Sequence, residues 1–176
     1  MTLETLLPRL LLYVVLPLWL LAGIGDYLCH RRTRIEVTSG ARESWLHVLE
    51  YVQVVVPVLA GLYLQINVLV LALMAAFLLA HSATAVRDTS YTAPRRHITV
   101  AEQHLHGWLE VLPWSAYAIL VVLHWNELSA GQWSLRWREE PLALSQTLPV
   151  LASLALAMFA IADELRRTLR AEHRSR

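Results

Sequence analysis

The chain alternates long apolar stretches with short polar ones. Five runs are rich in Leu, Val and Ala, and about 20 such residues are enough to cross the hydrocarbon core of a bilayer as an α-helix. We therefore predict an all-α integral membrane bundle with one transmembrane domain, residues 1–176. The predicted spans are about 10–29, 43–64, 67–86, 100–123 and 142–162, with a cytoplasmic tail at 163–176.

Short interruptions in this pattern predict how the spans connect. Residues 65–67, Gln-Ile-Asn, are the only polar break between the second and third spans, so these spans should form a tight helical hairpin. Pro17 is expected to kink the first span. Segment 125–141 carries three of the seven Trp residues among charged ones, which is typical of a membrane interface.

Composition supports the membrane class and excludes others. The chain is 56% hydrophobic and only 16% charged, which is too apolar for an ordinary soluble domain. Its net charge of +1 gives no reason to expect a nucleic-acid partner. The single Cys29 cannot form an internal disulfide. The first apolar run follows no basic segment and is long for a signal peptide, so we expect it to be retained.

The arginines predict the orientation. All fifteen basic residues are Arg, and the five-span topology puts twelve on one side and three, Arg9, Arg136 and Arg138, on the other. Because cytoplasmic loops are enriched in positive charge, we expect the larger group inside and the N-terminus outside, in the inner membrane of a bacterium. The larger group is Arg31, Arg32, Arg34, Arg42, Arg87, Arg95, Arg96, Arg166, Arg167, Arg170, Arg174 and Arg176.

Two matching stretches begin the second and fourth spans. Glu43-Ser-Trp-Leu-His47 and Glu102-Gln-His-Leu-His106 both read Glu-x-x-Leu-His, and a further Glu follows each of them. Residues four apart share one face of a helix, so each stretch presents a carboxylate and an imidazole together. We interpret the two stretches as two halves of one metal site.

Other ionisable residues fall at the same depth. Such groups are costly in a membrane unless they pair, bind a metal or line a wet cavity. One His and at least one carboxylate from each of four helices match the ligand pattern of dinuclear carboxylate sites. The predicted metal ligands lie at the cytoplasmic ends of spans one to four: Asp26, His30, Glu43, His47, Glu50, His81, Asp88, Glu102, His106 and Glu110.

Simpler interpretations stay open for several of these residues. Thr99 and Glu102 have the spacing of a capping box, in which Glu102 only satisfies the helix start. Asp26, Glu43 and Asp88 can instead pair with the Arg-rich loops. Among the ten candidates, the spacing supports Glu50 and Glu110 least, because Glu110 has turned around the helix from Glu102. His97 and His104 are expected around the site or on the surface, and His124 and His173 in solvent.

The ligand pattern resembles that of membrane-integral diiron proteins, over residues 26–110. The match is one of chemistry, because the His-rich boxes of membrane desaturases are absent and the Glu-x-x-His order of ferritin-like proteins is replaced by Glu-x-x-x-His. The resemblance implies two metal ions, iron first and zinc or manganese as alternatives. In that scheme Glu43 and Glu102 bridge or flank the metals, the four histidines supply nitrogen, and Asp26 and Asp88 complete the coordination.

The function expected from this site is dioxygen-dependent oxidation, by hydroxylation or desaturation, of a lipid or other hydrophobic molecule. The chain has no flavin or nicotinamide fingerprint, so a separate electron donor is needed. One alternative is a zinc hydrolase in which a metal-bound water attacks a lipid ester or amide. Another is a non-enzymatic metal carrier or sensor.

The arginine distribution generates the first testable prediction. Reporter fusions after Arg34, His97 and Arg176 should report the cytoplasm, and a fusion after Arg136 should report the outside, because positive loops stay inside. An outside signal from the fusion after His97 would contradict the five-span topology and separate the proposed ligands.

Overall fold

The computed structural model describes residues 2–174, and their regular structure is helical apart from one isolated antiparallel bridge between Leu64 and Trp137. A π-helical turn, Leu11–Val15, joins the first two helices, and a 3₁₀ turn, Ile35–Val37, follows the second. The α-helices are α1 (Leu3–Leu10), α2 (Leu16–Thr33), α3 (Ala41–Tyr63), α4 (Val68–Thr92), α5 (Val100–Leu123), α6 (Trp125–Ser129) and α7 (Leu144–Arg174).

Five helical stretches are long and apolar enough to cross a membrane, as the hydrophobic pattern predicts. They are Leu3–Thr33, which joins α1 and α2, together with α3, α4, α5 and α7. The first begins earlier than expected. The last continues to Arg174, so the segment predicted as a polar tail is helical as far as the structure describes it. Arg176, the last residue of that predicted tail, lies outside the described residues.

The π-helical turn ends at Val15, two residues before Pro17. Proline has no N–H group and its ring clashes with the preceding turn of a helix, so the local hydrogen-bond pattern must change there. A wider π turn is a common way to absorb such a disturbance. Leu3–Thr33 therefore continues as one long helix through a local irregularity at the place where a kink was predicted.

The five long helices form a closed ring. α2 packs against α5, α5 against α4, α4 against α3, and α7 contacts both α3 and α2. Gly25 lets α2 and α5 approach closely, because a Cβ atom at this position would lie only 3.0 Å from Leu105 Cδ2. The predicted hairpin of the second and third spans is the α3–α4 pair, and α7 completes the ring.

The distribution of polar and apolar side chains is inverted relative to that of a soluble protein. Large apolar side chains face outward, such as Phe159, which is 70% exposed, and Leu79, which is 63% exposed. Many polar side chains are buried instead, including Glu43 and Glu102, both 0% exposed. Continuous apolar surface of this kind marks a region that contacts lipid or a partner protein.

The two ends of the bundle differ in chemistry. At one end an apolar core of Ile66, Val70, Leu71 and Met74 packs beneath the loop that joins α3 to α4. Asn67 caps α4 by accepting hydrogen bonds from the backbone of Leu69 and Val70. At the other end, where α3 and α5 begin, the interior is filled with ionisable side chains.

Candidate metal centre

Histidines and carboxylates from all five long helices meet inside the polar end of the bundle. These side chains lie close to one another in space although they are widely separated along the chain. We call this set the His–carboxylate cluster, and it consists of Asp26, His30, Glu43, His47, Asp88, Arg96, Glu102, His106 and Glu164.

Glu164 of α7 holds two imidazole rings at once. Its Oε2 atom lies 2.8 Å from His30 Nδ1, and its Oε1 atom lies 2.6 Å from His47 Nδ1. The two rings are stacked, with centroids 4.6 Å apart and planes inclined by 5°. An ionised carboxylate only accepts hydrogen bonds, so both rings carry a proton on Nδ1 and direct Nε2 away from Glu164.

The Nε2 atom of His30 faces two carboxylates. It lies 3.4 Å from Asp26 Oδ2 and 3.3 Å from Glu102 Oε1. Both distances exceed the 2.7–2.9 Å that is typical of a charge-assisted N–H···O bond. His30 is 1% exposed and its Nε2 atom makes no hydrogen bond to any described residue.

The second half of the cluster repeats this arrangement. His47 Nε2 lies 3.7 Å from Asp88 Oδ2 and 4.0 Å from Glu43 Oε1, again without a hydrogen bond among the described residues. His106 extends the first half, because its Nε2 atom lies 3.0 Å from Asp26 Oδ1. Each stacked imidazole therefore directs one nitrogen at a pair of acidic side chains.

Arg96 balances part of this negative charge. Its guanidinium lies between Glu43 and Glu102, with Nη2 2.5 Å from an oxygen of each. Burial alone lowers the pKa of Arg96, but the hydrogen bonds with Glu43 and Glu102 outweigh burial and raise the pKa above its ordinary value. Ser39 also donates a hydrogen bond to Glu43. The two acids predicted to bridge the metals are thus already held by a cation.

Glu102 has two roles in the structure. The capping box that was weighed against ligation is present: the Glu102 backbone donates to Thr99 Oγ1 over 3.2 Å, and the Thr99 backbone donates to Glu102 Oε2 over 3.4 Å. The other oxygen, Oε1, faces His30 and Arg96. Capping uses one oxygen and leaves the second directed into the cluster, so the two interpretations are compatible.

Two overlapping groups in the cluster have ligand atoms close enough together to hold a metal ion. Within each group the candidate nitrogen and oxygen atoms all lie within 4.8 Å of one another. The groups share His30. The first consists of Asp26, His30, Glu102 and His106, and the second of His30, Glu43 and His47.

Seven of the ten predicted ligands belong to the cluster, and three lie apart from its ion pairs. Glu50 and His81 line a cavity of about 110 Å³ that also reaches His30 and His47. Each has a buried polar atom, Glu50 Oε1 and His81 Nδ1, without a hydrogen-bond partner among residues 2–174. Glu110 is half-buried and belongs to neither ligand group. The ligand roles themselves stay predictions.

Sequence reasoning did not include in the site two residues that hold the cluster together, Arg96 and Glu164. The alternative that Glu43 pairs with an Arg-rich loop is confirmed, because Arg96 is its partner, whereas Glu164 falls in the segment predicted as a polar tail. A signal for Glu164 was present, because the buried polar residues of α7, Ser153, Glu164 and Thr168, recur at spacings of eleven and four. These spacings put them on one face of a helix, which predicts an inward polar stripe.

Comparison with known proteins adds no further assignment. No protein-family model matches the chain, no curated protein matches its sequence, and no solved structure matches its fold. Function must therefore be argued from the cluster and its surroundings.

The central position of Glu164 generates a stability prediction. We expect Glu164→Ala to lower the free energy of unfolding by about 2–5 kcal/mol, because two buried imidazoles lose their acceptor and the remaining ion pairs lose a member. Thermal denaturation in detergent, followed by near-ultraviolet circular dichroism, measures the effect. The control is Glu140→Ala, an exposed loop substitution that should leave the midpoint unchanged. Equal midpoints for the two variants would contradict the bridging role.

Proposed function

We propose that this protein is an integral membrane oxidoreductase whose His–carboxylate cluster holds two iron ions and uses dioxygen to oxidise a lipid or another hydrophobic molecule. The observation that carries the proposal is the pair of imidazole nitrogens, His30 Nε2 and His47 Nε2, that face carboxylate oxygens over 3.3–4.0 Å.

The spacing of these atoms favours a cation between them. A neutral ring that is protonated on Nδ1 has a lone pair on Nε2, and this lone pair repels carboxylate oxygens. A metal ion at about 2.0–2.2 Å from each ligand keeps ligand atoms about 3.0–4.3 Å apart, depending on whether they are adjacent or opposite. The observed separations of 3.3–4.0 Å fall in this range.

Charge balance supports two divalent ions. The buried acids of the cluster are Asp26, Glu43, Asp88, Glu102 and Glu164, and Arg96 is the one buried arginine among residues 2–174. When the three imidazoles are neutral, as metal ligands are, five ionised carboxylates and one guanidinium leave an excess of four negative charges, which two divalent cations would neutralise. Uncompensated charges of this number are too costly to bury.

The ligand types favour iron. Imidazole and carboxylate donors suit iron, manganese and zinc, whereas copper(I) prefers sulfur ligands. A structural zinc site is closed by four ligands, and a catalytic zinc usually takes three ligands from the protein. The cluster offers more donors than one zinc requires, and it repeats an imidazole with two carboxylates, which resembles the ligand pattern of dinuclear carboxylate proteins.

The apolar exterior supports insertion in a membrane. The five long helices present large apolar side chains outward, and their lengths suffice to span a bilayer. With the predicted arginine orientation, the cluster would lie near the cytoplasmic face of a bacterial inner membrane. An electron donor could then reach the cluster from the cytoplasm or from the membrane.

The proposed reaction needs this external donor. Hydroxylation puts one oxygen atom of dioxygen into a C–H bond and reduces the other to water, and desaturation reduces both atoms to water. Either reaction consumes two electrons and two protons besides the pair taken from the substrate, and these come from a reductase or a quinol. The protein residues would bind the metal, exclude water and hold the substrate near it.

The ligand assignment can be tested by substitution. His47→Ala and His106→Ala should each reduce the metal content by half or more, because each removes a nitrogen donor from one half of the cluster. Metal analysis of the purified variants by mass spectrometry measures the effect. His124→Ala and His173→Ala, which lie outside the cluster, should retain the metal content of the unmodified protein. Equal losses in all four variants would contradict the assignment.

The reaction itself generates a further prediction. Purified protein should contain about two irons per chain, and the reduced centre should be reoxidised by dioxygen, because mixed nitrogen and oxygen ligands stabilise both common oxidation states of iron. Absorption spectra before and after anaerobic reduction and readmission of air would record this change. Two zincs per chain without an oxygen-dependent change would favour the hydrolase, and metal that exchanges freely without either activity would favour the carrier or sensor.

A further inference from the structure

The bundle contains an apolar cavity that the cluster does not use. It has a volume of about 470 Å³, and the π-helical turn and all five long helices contribute to its walls. We call it the apolar cavity, and its walls include Leu12, Val58, Leu112 and Leu120. Pockets of this size and character bind small molecules that are largely hydrophobic.

One end of the apolar cavity is polar and positively charged. Arg138, His124 and Gln146 line this end. Arg138 Nη2 donates a hydrogen bond to the carbonyl of Gly61 over 3.0 Å. Gly61 lies near the end of α3, whereas the cluster lies where α3 begins, so this end of the cavity is remote from the cluster. Arg138 Nε is buried and makes no hydrogen bond to a described residue. No carboxylate of residues 2–174 forms an ion pair with Arg138, in contrast to Arg96.

The imidazole of His124 favours its neutral form. Burial lowers the pKa of His124, and the partial compensation by Glu127 is opposed by the positive charge of Arg138. A neutral imidazole beside Arg138 can share a hydrogen bond with a ligand. The sequence placed His124 in solvent, whereas the structure puts it at the wall of this cavity. The end is therefore suited to an anionic group that accepts hydrogen bonds.

The opposite end of the apolar cavity approaches the cluster. Trp19 and Val54 line both this cavity and the smaller cavity of about 110 Å³ that reaches Asp26, His30 and His47. The two spaces are therefore adjacent, and the side chains that line both of them are not ionisable. A hydrophobic chain that fills the first space would point its end at the imidazoles.

Helix geometry gives the length of such a ligand. Gly61 and His47 lie on the same helix, fourteen residues apart, which corresponds to about 21 Å at a rise of 1.5 Å per residue. An extended hydrocarbon chain advances about 1.25 Å per carbon, so about 16–18 carbons span this distance.

We propose that the apolar cavity binds one long-chain fatty acid, with its carboxylate on Arg138 and the far end of its chain directed at the His–carboxylate cluster. This inference deepens the proposed function and rests on it in one respect: the cluster would oxidise carbons near the chain terminus rather than carbons near the carboxylate. Binding and its orientation do not depend on which metal the cluster holds.

The orientation can be measured by fluorescence quenching in detergent micelles. The probes are stearic acids that carry a nitroxide quencher either near the chain terminus or near the carboxylate. Trp19 reports the cluster end of the cavity, and its own contribution is obtained by subtracting the signal of Trp19→Phe. We expect the terminal nitroxide to quench Trp19 several-fold more strongly than the nitroxide near the carboxylate. Equal or reversed quenching would overturn the proposed orientation.

Charge recognition can be tested at Arg138. Arg138→Gln should weaken stearic acid binding by about tenfold or more, because the carboxylate loses a charge-assisted hydrogen bond. Arg138→Lys should retain most of the affinity, which controls for the packing role of this side chain. Arg136→Gln, an exposed neighbour, should bind like the unmodified protein. Equal weakening in the Lys and Gln variants, or equal binding of stearic acid and its methyl ester, would overturn the proposal.

The outcome separates this inference from the proposed function. The binding measurements are made both on protein as purified and after treatment with a chelator, and both should give the same orientation. Terminal quenching by protein that contains no iron as purified would support the fatty acid site and contradict the diiron oxidoreductase. Two irons with no saturable stearic acid binding would support the metal centre and overturn the fatty acid site.

Discussion

The bridge from Glu164 to two stacked imidazoles is the interaction on which the arrangement of the cluster depends. One carboxylate accepts from His30 over 2.8 Å and from His47 over 2.6 Å. This contact joins α7 to α2 and α3, and it fixes the proton of each ring on the side that faces away from the remaining carboxylates. A carboxylate that orients a ligating histidine in this way is a common feature of protein metal sites.

The polar interior imposes a constraint on the whole bundle. Buried charges are stable only when nearly all of them are paired, so the five buried acidic side chains must be enclosed together with the groups that compensate their charge. α7 closes this ring, and a buried hydrogen bond of 3.1 Å from Thr168 to Ser44 secures its contact with α3. The same helices expose many large apolar side chains on their outer faces, which suits them to lipid surroundings.

The bundle separates two kinds of chemistry along its axis. The cluster concentrates negative charge at one end, whereas the apolar cavity lies towards the other, together with Arg138, which forms no ion pair within residues 2–174. An amphiphile with a single negative group would avoid the acidic end and orient itself along this gradient. The distance between Arg138 and the cluster would then decide which carbon of the fatty acid is oxidised. No residue that recognises the reacting carbon would be needed.

The sequence by itself determined the features that depend on local periodicity. It predicted five spans, the α3–α4 hairpin, and the two Glu-x-x-Leu-His faces, because residues four apart share a helix face whatever the tertiary structure. It could not determine partners that come from distant segments. Glu164 is 134 positions from His30, and Arg96 lies in a loop whose direction no periodic pattern specifies. Only the closing of the helix ring decided that Arg96 neutralises Glu43 and Glu102, that Glu110 stays outside both ligand groups, and that α7 supplies the carboxylate at the centre. Long-range packing determines these partners, because each buried charge needs an opposite charge or a hydrogen-bond partner within a few ångströms.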